Sequence, residues 1–492
     1  MSTSQIIRRA IRNLVWMFAH SWASAVFGLA TFAVMARILG PEPYGIMALA
    51  ALVFGVAGVF VGAPLTESIQ QRDEITNVHL DTTFWLNSGL TLVFAVVIAL
   101  LAEPISALIG APAVAEVLPA LSVIMLFSSL EGVPGALLQR ELENDKLVWI
   151  ETASELLTTG LALVLALLGF GVWSLVISMA AGTLISVAGC FYASKWRPGF
   201  SVSVTAFREL FAFNRDTVGT YFLGYVDDAI PRFLLSLVGG ERAVGLLSIA
   251  GTISGSLTGL LMGPFNEIAM NVVARLQSSR RTVHELLDRV FAMTTAVIYP
   301  ATLGLAIVSP LLIPLVIGDE WIAAVVPLQI FLVLGIRDAT GTFNIAILRG
   351  VGDSRSPLII LSLGILFLFI LAPLLLPYGV AGIATLIALR TFLTWPVSAW
   401  LVQRAAGYSA IRQIVIGWRA LIASLGMVAI VLLVNFHMPA HWSEIARVAV
   451  MIISGILSYT GLMFVVGAGQ VREIREGIGW FRNHHDGAVE PA

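Results

Sequence analysis

Few side chains in this sequence could do chemistry, and most of those stand inside apolar runs, where a charge is costly. Arg390 is the clearest case, near the middle of the run 379–403 with no carboxylate within one helical turn. A guanidinium so placed either lines a water-filled cavity, where its planar donors fit the phosphate oxygens of an anionic head group, or pairs with a carboxylate on another helix. Arg337 stands beside Asp338 in the run 321–348. Helix neighbours point about 100° apart, so the two cannot be assumed to neutralise each other, and Arg337 is a second candidate for the cavity. Arg232 follows Asp228 by four residues and can meet it on one helical face, as a structural ion pair or as a ligand-facing one. Arg215 and Asp216 fall near the end of a run, where snorkelling to the interface is the default.

The carboxylates are the complementary set. Glu131, Glu151 and Glu155 lie in apolar runs, with Glu151 and Glu155 on one face. Together with Asp228 they are candidates to bind a proton or Na⁺, and a structural hydrogen bond is the competing role for each. Glu151 can reach Lys146 near the interface, which leaves Glu155 and Glu131 as the better candidates. Glu67 and Glu267 end two corresponding runs and read as paired gate or interface residues. His484 and His485 are adjacent in a polar tail and read as solvated, and the one cysteine, Cys190, allows no intramolecular disulfide.

The elements that carry these groups follow from composition. Of 492 residues 58% are hydrophobic and 12% charged, with mean hydropathy +0.92, against about 25% charged in a soluble domain. The apolar residues form long runs, each near the ~20 residues that span a bilayer. A soluble enzyme, a single-span receptor and a disordered scaffold are excluded. The net charge of −2 carries no nucleic-acid signature. The chain reads as an all-α polytopic membrane protein of about fourteen spans: 14–36, 43–68, 80–102, 113–138, 147–169, 171–194, 212–238, 243–268, 283–309, 321–348, 356–377, 379–403, 412–436 and 443–467. The first, although preceded by Arg8, Arg9 and Arg12, reads as an uncleaved span. Residues 470–492 read as an interfacial helix and a disordered cytoplasmic end.

Basic residues orient the spans. With the N-terminus inside, 21 of the 28 lysines and arginines fall in cytoplasmic segments. Only Arg37, Arg242 and Arg447 fall outside, and Arg215, Arg232, Arg337 and Arg390 lie within the membrane. Positive charge is retained on the cytoplasmic side, so both termini are expected there.

The sequence also resembles itself at a separation of about 200 residues. Pro43-Tyr44-Gly45-Ile46 parallels Ala243-Val244-Gly245-Leu246, and Ala63-Pro64 with Glu67 returns as Gly263-Pro264 with Glu267. Ile109-Gly110 with Pro119 recurs as Ile317-Gly318 with Pro327, and Gly171-Val172 as Gly379-Val380. Six spans separate the copies, so they run in the same direction and form a parallel repeat. The expected organisation is an N-lobe at 1–200 (spans 1–6), a C-lobe at 201–408 (spans 7–12), two added spans at 409–469, and the tail 470–492. Two like bundles suggest alternating access to a site between them. All four intramembrane arginines fall in the second lobe.

Four segments carry a family resemblance. Met35-Ala36-Arg37-Ile38-Leu39-Gly40-Pro41-Glu42-Pro43-Tyr44-Gly45 resembles the first-loop signature of the polysaccharide-transporter branch of the multidrug/oligosaccharidyl-lipid/polysaccharide exporter superfamily. Leu137-Leu138-Gln139-Arg140-Glu141, the segment Arg349 to Pro357, and Pro377-Tyr378-Gly379-Val380 resemble later elements of the same family, and Asp227, Asp228 and Arg232 resemble the acidic-then-basic pattern of its seventh span. The resemblance covers roughly residues 5–470. It implies a Wzx-type flippase of the bacterial inner membrane, not an enzyme, moving an undecaprenyl-diphosphate-linked oligosaccharide outward for exopolysaccharide, capsule or O-antigen synthesis. It implies no cofactor, a proton or Na⁺ gradient as the driving force, and association with membrane lipids and with the polymerase and export machinery. Arg390, Arg337 and Arg232 would then hold the diphosphate, and Glu155, Glu131 or Asp228 the coupling ion. A multidrug antiporter of the same superfamily and a lipid II flippase are the alternatives. The first span carries His20 but no acidic residue, which such antiporters typically have there. No Walker-A segment and no catalytic triad or metal spacing is present.

Overall fold

The computed structural model describes residues 31–61, 75–141, 143–275, 280–353, 355–439 and 441–466, with Gly28, Thr66 and Ile69 besides; for parts of 210–286 it describes the backbone alone. Among the described residues there is no strand. Two compact units emerge, one of Val34–Ser248 with Leu376–Val380, the other containing Ile249–Leu375 and the chain from Ala381 onward.

In the first unit α1 (Pro41–Phe60) opens behind Gly40, whose φ of 71° suits glycine, with Pro41 at a first-turn position where no N–H is needed. α2 (Asn77–Leu100) starts from a capping box between Thr76 and His79. α3 (Ala102–Ile109) stops at the left-handed Gly110. α4 (Val114–Ser129) and α5 (Gly132–Arg140) are one crossing interrupted at Leu130–Glu131. α6 (Asn144–Leu167) and α7 (Val172–Ser194) pack side by side. A Cβ at Gly182 would lie 1.9 Å from Thr158 Oγ1, and Ser154 Oγ donates to the Gly182 carbonyl at 2.9 Å. Lipid tails are as apolar as leucine, so close backbone approach at small residues, rather than hydrophobic burial, holds such helices together.

A strap of residues 195–203 leads from α7 to α8 (Val204–Arg275) and is clamped to α2. Buried Asp81 accepts from the Gly199 and Ser201 amides at 2.9 and 3.3 Å, and Trp85 Nε1 donates to the Gly199 carbonyl at 2.7 Å. α8 is broken at Gly240 (φ 63°, ψ −164°), between the two spans expected at 212–238 and 243–268.

The second unit continues through α9 (Arg280–Ile317), α10 (Val325–Val333), α11 (Gly335–Gly341), α12 (Phe343–Gly350), α13 (Arg355–Leu375), α14 (Gly379–Ala406), α15 (Ala410–Val415), α16 (Trp418–His437) and α17 (Glu444–Val466). α9 contains Pro300, Pro310 and Pro314. Each proline removes the N–H that would bind the carbonyl four residues back, and in lipid that carbonyl must find another donor. Ala296 O, orphaned by Pro300, accepts from Tyr459 Oη of α17 at 2.7 Å, and Ala306 O, orphaned by Pro310, accepts from Gln329 Nε2 of α10 at 2.9 Å. The carbonyls that the prolines leave free in α9 are thereby tied to its neighbours. Phe291, Phe343 and Tyr408 form an aromatic core beside them.

Eleven helices among the described residues are long and apolar enough to cross a membrane. Two of these, 42 and 52 residues long, hold breaks at Gly240 and at the 3₁₀ turn Leu376–Tyr378, so each is long enough to cross twice. The expected first span, apart from its last few residues, and the tail after 466 lie outside the described residues. Left-handed glycines recur at repeat-equivalent positions: Gly40 and Gly240 (71° and 63°), Gly110 and Gly318 (72° and 104°), Gly171 and Gly379 (54° and 58°).

Candidate substrate and coupling sites

The arginines differ in how they are held. Arg232 Nη1 lies 2.8 Å from Asp228 Oδ2, the i,i+4 pair expected from spacing, and both side chains keep substantial exposure at 34% and 61%. The pair can therefore still meet solvent or a ligand. Arg337 Nη1 lies 3.1 Å from Asp338 Oδ1, so the two neighbours do pair. The 100° between them is bridged because arginine is long enough to fold across its own helix. The Arg337 guanidinium lies beside Gly341, where a Cβ would sit 2.9 Å from its Nε and 3.1 Å from Trp395 Cδ1 of α14. Glycine at 341 makes room for both. Arg390 is half-buried on α14 and its Nη2 approaches Thr391 Oγ1 at 3.4 Å. Trp395 and Arg390 are five residues apart on that helix, about 7.5 Å along the axis. α14 thus carries one arginine and abuts another within the second unit, while Arg232 belongs to the first.

Among the carboxylates the structure selects differently from the spacing. Lys146 Nζ pairs with Glu143 Oε2 at 2.6 Å rather than with Glu151. Glu131, at the interruption between α4 and α5, hydrogen-bonds Ser186 of α7 and has Glu151 of α6 and Cys190 of α7 in its electrostatic neighbourhood. Its Oε2 is shielded from solvent and has no hydrogen-bond partner. Glu155 lies one turn further along α6 and, like Glu151, is exposed. The first unit therefore places Glu131 with Glu151, not Glu155, around Ser186. Sequence reading missed Ser186 and Cys190. Their i,i+4 spacing on α7 was the available signal. Glu67 and the side chain of Glu267 lie outside the described residues. No group of three or more His, Cys, Asp or Glu suited to a metal occurs among the described residues.

A feature with no signal in the spacing of charges is an apolar cavity of about 400 Å³ in the second unit. α9 lines it with Val297, Pro300 and Gly304, α16 with Met427, and α17 with Gly455 and Tyr459. Gly304 and Gly455 leave their sides of the lining bare; a Cβ at either would meet only ordinary contacts at 3.5 Å or more. Its only hydroxyls belong to Thr460 and Tyr459, and the latter is already spent on Ala296 O. Such a site suits an aliphatic chain and offers nothing to a sugar or phosphate.

Comparison with known proteins follows this geometry. A family model described as polysaccharide biosynthesis protein matches residues 34–326. The succinoglycan biosynthesis transport protein ExoT of Rhizobium meliloti (strain 1021) is 26% identical over 445 residues, covering 87% of each chain. The lipopolysaccharide biosynthesis protein WzxC of Escherichia coli (strain K12) is 25% identical over 320 residues, covering 64% of each. Among solved structures, a lipid II flippase, MurJ, in an inward closed conformation superposes with TM-score 0.71 at 14% identity, covering 92% of this chain and 99% of that one.

Proposed function

The chain belongs to the polysaccharide biosynthesis protein family, and from that premise we propose that it is a flippase for lipid-linked oligosaccharide repeat units in the bacterial inner membrane. The family match, extending over more than half of the chain, carries the reading, and the transport and lipopolysaccharide roles named for its relatives agree with it. The cargo is an oligosaccharide on undecaprenyl diphosphate. Its three parts need three environments: a polar path for the sugar, cations for the diphosphate, and an apolar contact for the polyprenyl tail. The cavity between α9, α16 and α17 suits the tail. In a bilayer it gains no hydrophobic free energy over lipid, so its effect is to position the chain.

Arg390 is the leading diphosphate ligand, followed by Arg337 and Arg232. Arg337 and Arg232 each keep donors after pairing with one aspartate, because a guanidinium has five. The N-lobe of spans 1–6 and the C-lobe of spans 7–12, with spans 13 and 14 added, alternate access to the two sides. Both termini face the cytoplasm, and the protein associates with the polymerase and export machinery. The ion that drives exchange binds at Glu131, with Glu151 and Ser186 beside it; Glu155 and Asp228 are the further candidates, and Glu67 and Glu267 act at the gate.

Deleting the protein abolishes surface polysaccharide and leaves its lipid-linked precursor on the cytoplasmic side; an unchanged surface polymer sinks the proposal. In vesicles, Arg390→Ala eliminates flipping while the protein stays folded, and normal transport removes Arg390 from the site. Glu131→Gln weakens the dependence on an imposed ion gradient; unaltered dependence removes Glu131 from coupling.

A further inference from the structure

Two acids, one near the start of α2 and one near the start of α9, hold matching segments of the repeat. Leu80, Asp81 and Phe84 recur as Leu287, Asp288 and Phe291 at one fixed offset. Asp81 accepts from amides of the strap that follows α7, and Phe84 meets Trp196 of that strap edge-on at 5.5 Å. Asp288 accepts from Tyr408 Oη at 2.7 Å and pairs with Arg412 Nη2 at 2.6 Å, and Phe291 meets Tyr408 edge-on at 5.6 Å. Tyr408 and Arg412 follow α14 as the strap follows α7. Each clamp therefore pins, from its inner face, the segment that leaves the last span of its repeat.

What the clamps leave outward has the same composition in both. Residues 195–208 carry Lys195, Arg197 and Arg208 and no acid; residues 404–419 carry Arg404, Arg412 and Arg419 and no acid. Apolar side chains stand out between the charges. Phe200 is 88% exposed with its ring stacked on Trp85, and Val202 is exposed beside it. On α15 Ile411 is 76% exposed and Val415 follows one turn on. Gln413 between them is fully buried, donating to the Thr340 carbonyl at 3.1 Å and to Asn344 Oδ1. Arg404 lies 5.9 Å from the exposed Trp400 ring, and Arg419 lies 5.4 Å from that of Trp418. α14 and α16 are apolar spans, so α15 between them stands where hydrocarbon gives way to head groups. At that depth rings and aliphatic tips enter the lipid while basic groups reach phosphate.

We propose that both segments are docking surfaces for anionic phospholipid head groups of the leaflet they face, the cytoplasmic one on the orientation read from the basic residues. A zwitterionic lipid satisfies the apolar tips but not the unbalanced positive charge; an anionic one satisfies both. Because each clamp already holds its segment in place, binding does not have to order it first.

The test uses neither cargo nor sidedness, so its failure is distinguishable from failure of the flippase reading. Purified protein in mixed micelles is photo-crosslinked to phosphatidylglycerol or to phosphatidylcholine, each with the same photoreactive group near the glycerol, and the adducts are mapped by peptide mass spectrometry. Phosphatidylglycerol is expected to mark 195–208 and 404–419 well above phosphatidylcholine. Arg404→Gln and Arg419→Gln each lower the phosphatidylglycerol yield at 404–419 about fivefold and leave that at 195–208 unchanged, which also reports that the variant is folded. Lys195→Gln and Arg208→Gln do the converse. Equal yields from the two lipids overturn the proposal and leave the surfaces to a protein partner; yields unmoved by the substitutions overturn it as well.

Discussion

Replacing Tyr459 by Phe removes a single oxygen, and the structure states what that oxygen does: it supplies the proton donor that Pro300 denies to the Ala296 carbonyl. An unsatisfied buried acceptor costs about 1–3 kcal/mol, whereas interhelical hydrogen bonds in membrane proteins average nearer ~0.6 kcal/mol. Ala296 and Tyr459 are both half-buried, so a loss between these figures, about 1 kcal/mol, is expected. The sharper quantity is the coupling. Pro300→Ala restores an N–H that can reach Ala296 O, so in that background the Tyr459→Phe cost should shrink toward zero. The interaction energy of the double-mutant cycle is then about 1 kcal/mol. Denaturant unfolding of the purified protein, followed by tryptophan fluorescence across four variants, measures it. Equal cost of Tyr459→Phe in both backgrounds would refute the argument that the tyrosine substitutes for the proline's missing donor.

Two further perturbations test local claims. Asp353 caps α13, its carboxylate accepting from the Arg355 and Ser356 amides at 3.1 and 3.0 Å and from Ser356 Oγ at 2.6 Å. The Ser356 hydroxyl, then its amide, hold the carboxyl below the usual carboxylate range. The capping contribution is therefore complete above the unfolded value near ~3.9 and disappears as pH falls through the lower folded one. Asp353→Ala should cost about 1 kcal/mol at neutral pH and progressively less below pH ~4, read by unfolding at each pH; a pH-independent difference contradicts the cap. Gly199→Ala places a Cβ 2.6 Å from Asp81 Oδ2 and should cost about 1–3 kcal/mol while speeding proteolysis of the strap. Unchanged proteolysis would show that the clamp does not hold it.

Much of the architecture is local and so is written in one dimension. The length of an apolar run sets a crossing, and glycine at 40, 110, 171, 240, 318 and 379 marks backbone turns that few other residues tolerate. The i,i+4 pair Arg232–Asp228 was legible because helical geometry alone brings it together.

Which partner each charge takes was not legible, because sequence gives the period of a helix but neither its side-chain rotamers nor its rotation toward a neighbour. Lys146 reaches Glu143 by an i,i+3 path, which left Glu151 for Glu131. Arg337 met Asp338 by bending a long side chain, a choice settled by the space Gly341 leaves beside Trp395. The sequence by itself determined that the chain is all-α and apolar enough to cross a membrane many times, with a few ionisable groups inside its apolar runs. Tertiary structure alone decided which of those groups touch, which donors serve the carbonyls freed by Pro300 and Pro310, and where helices fail to fill space and leave a cavity. The donors and the cavity depend on the mutual placement of segments tens to hundreds of residues apart, for which residue spacing carries no term, whereas the local pairs Lys146–Glu143 and Arg337–Asp338 depend on which rotamer each long side chain adopts.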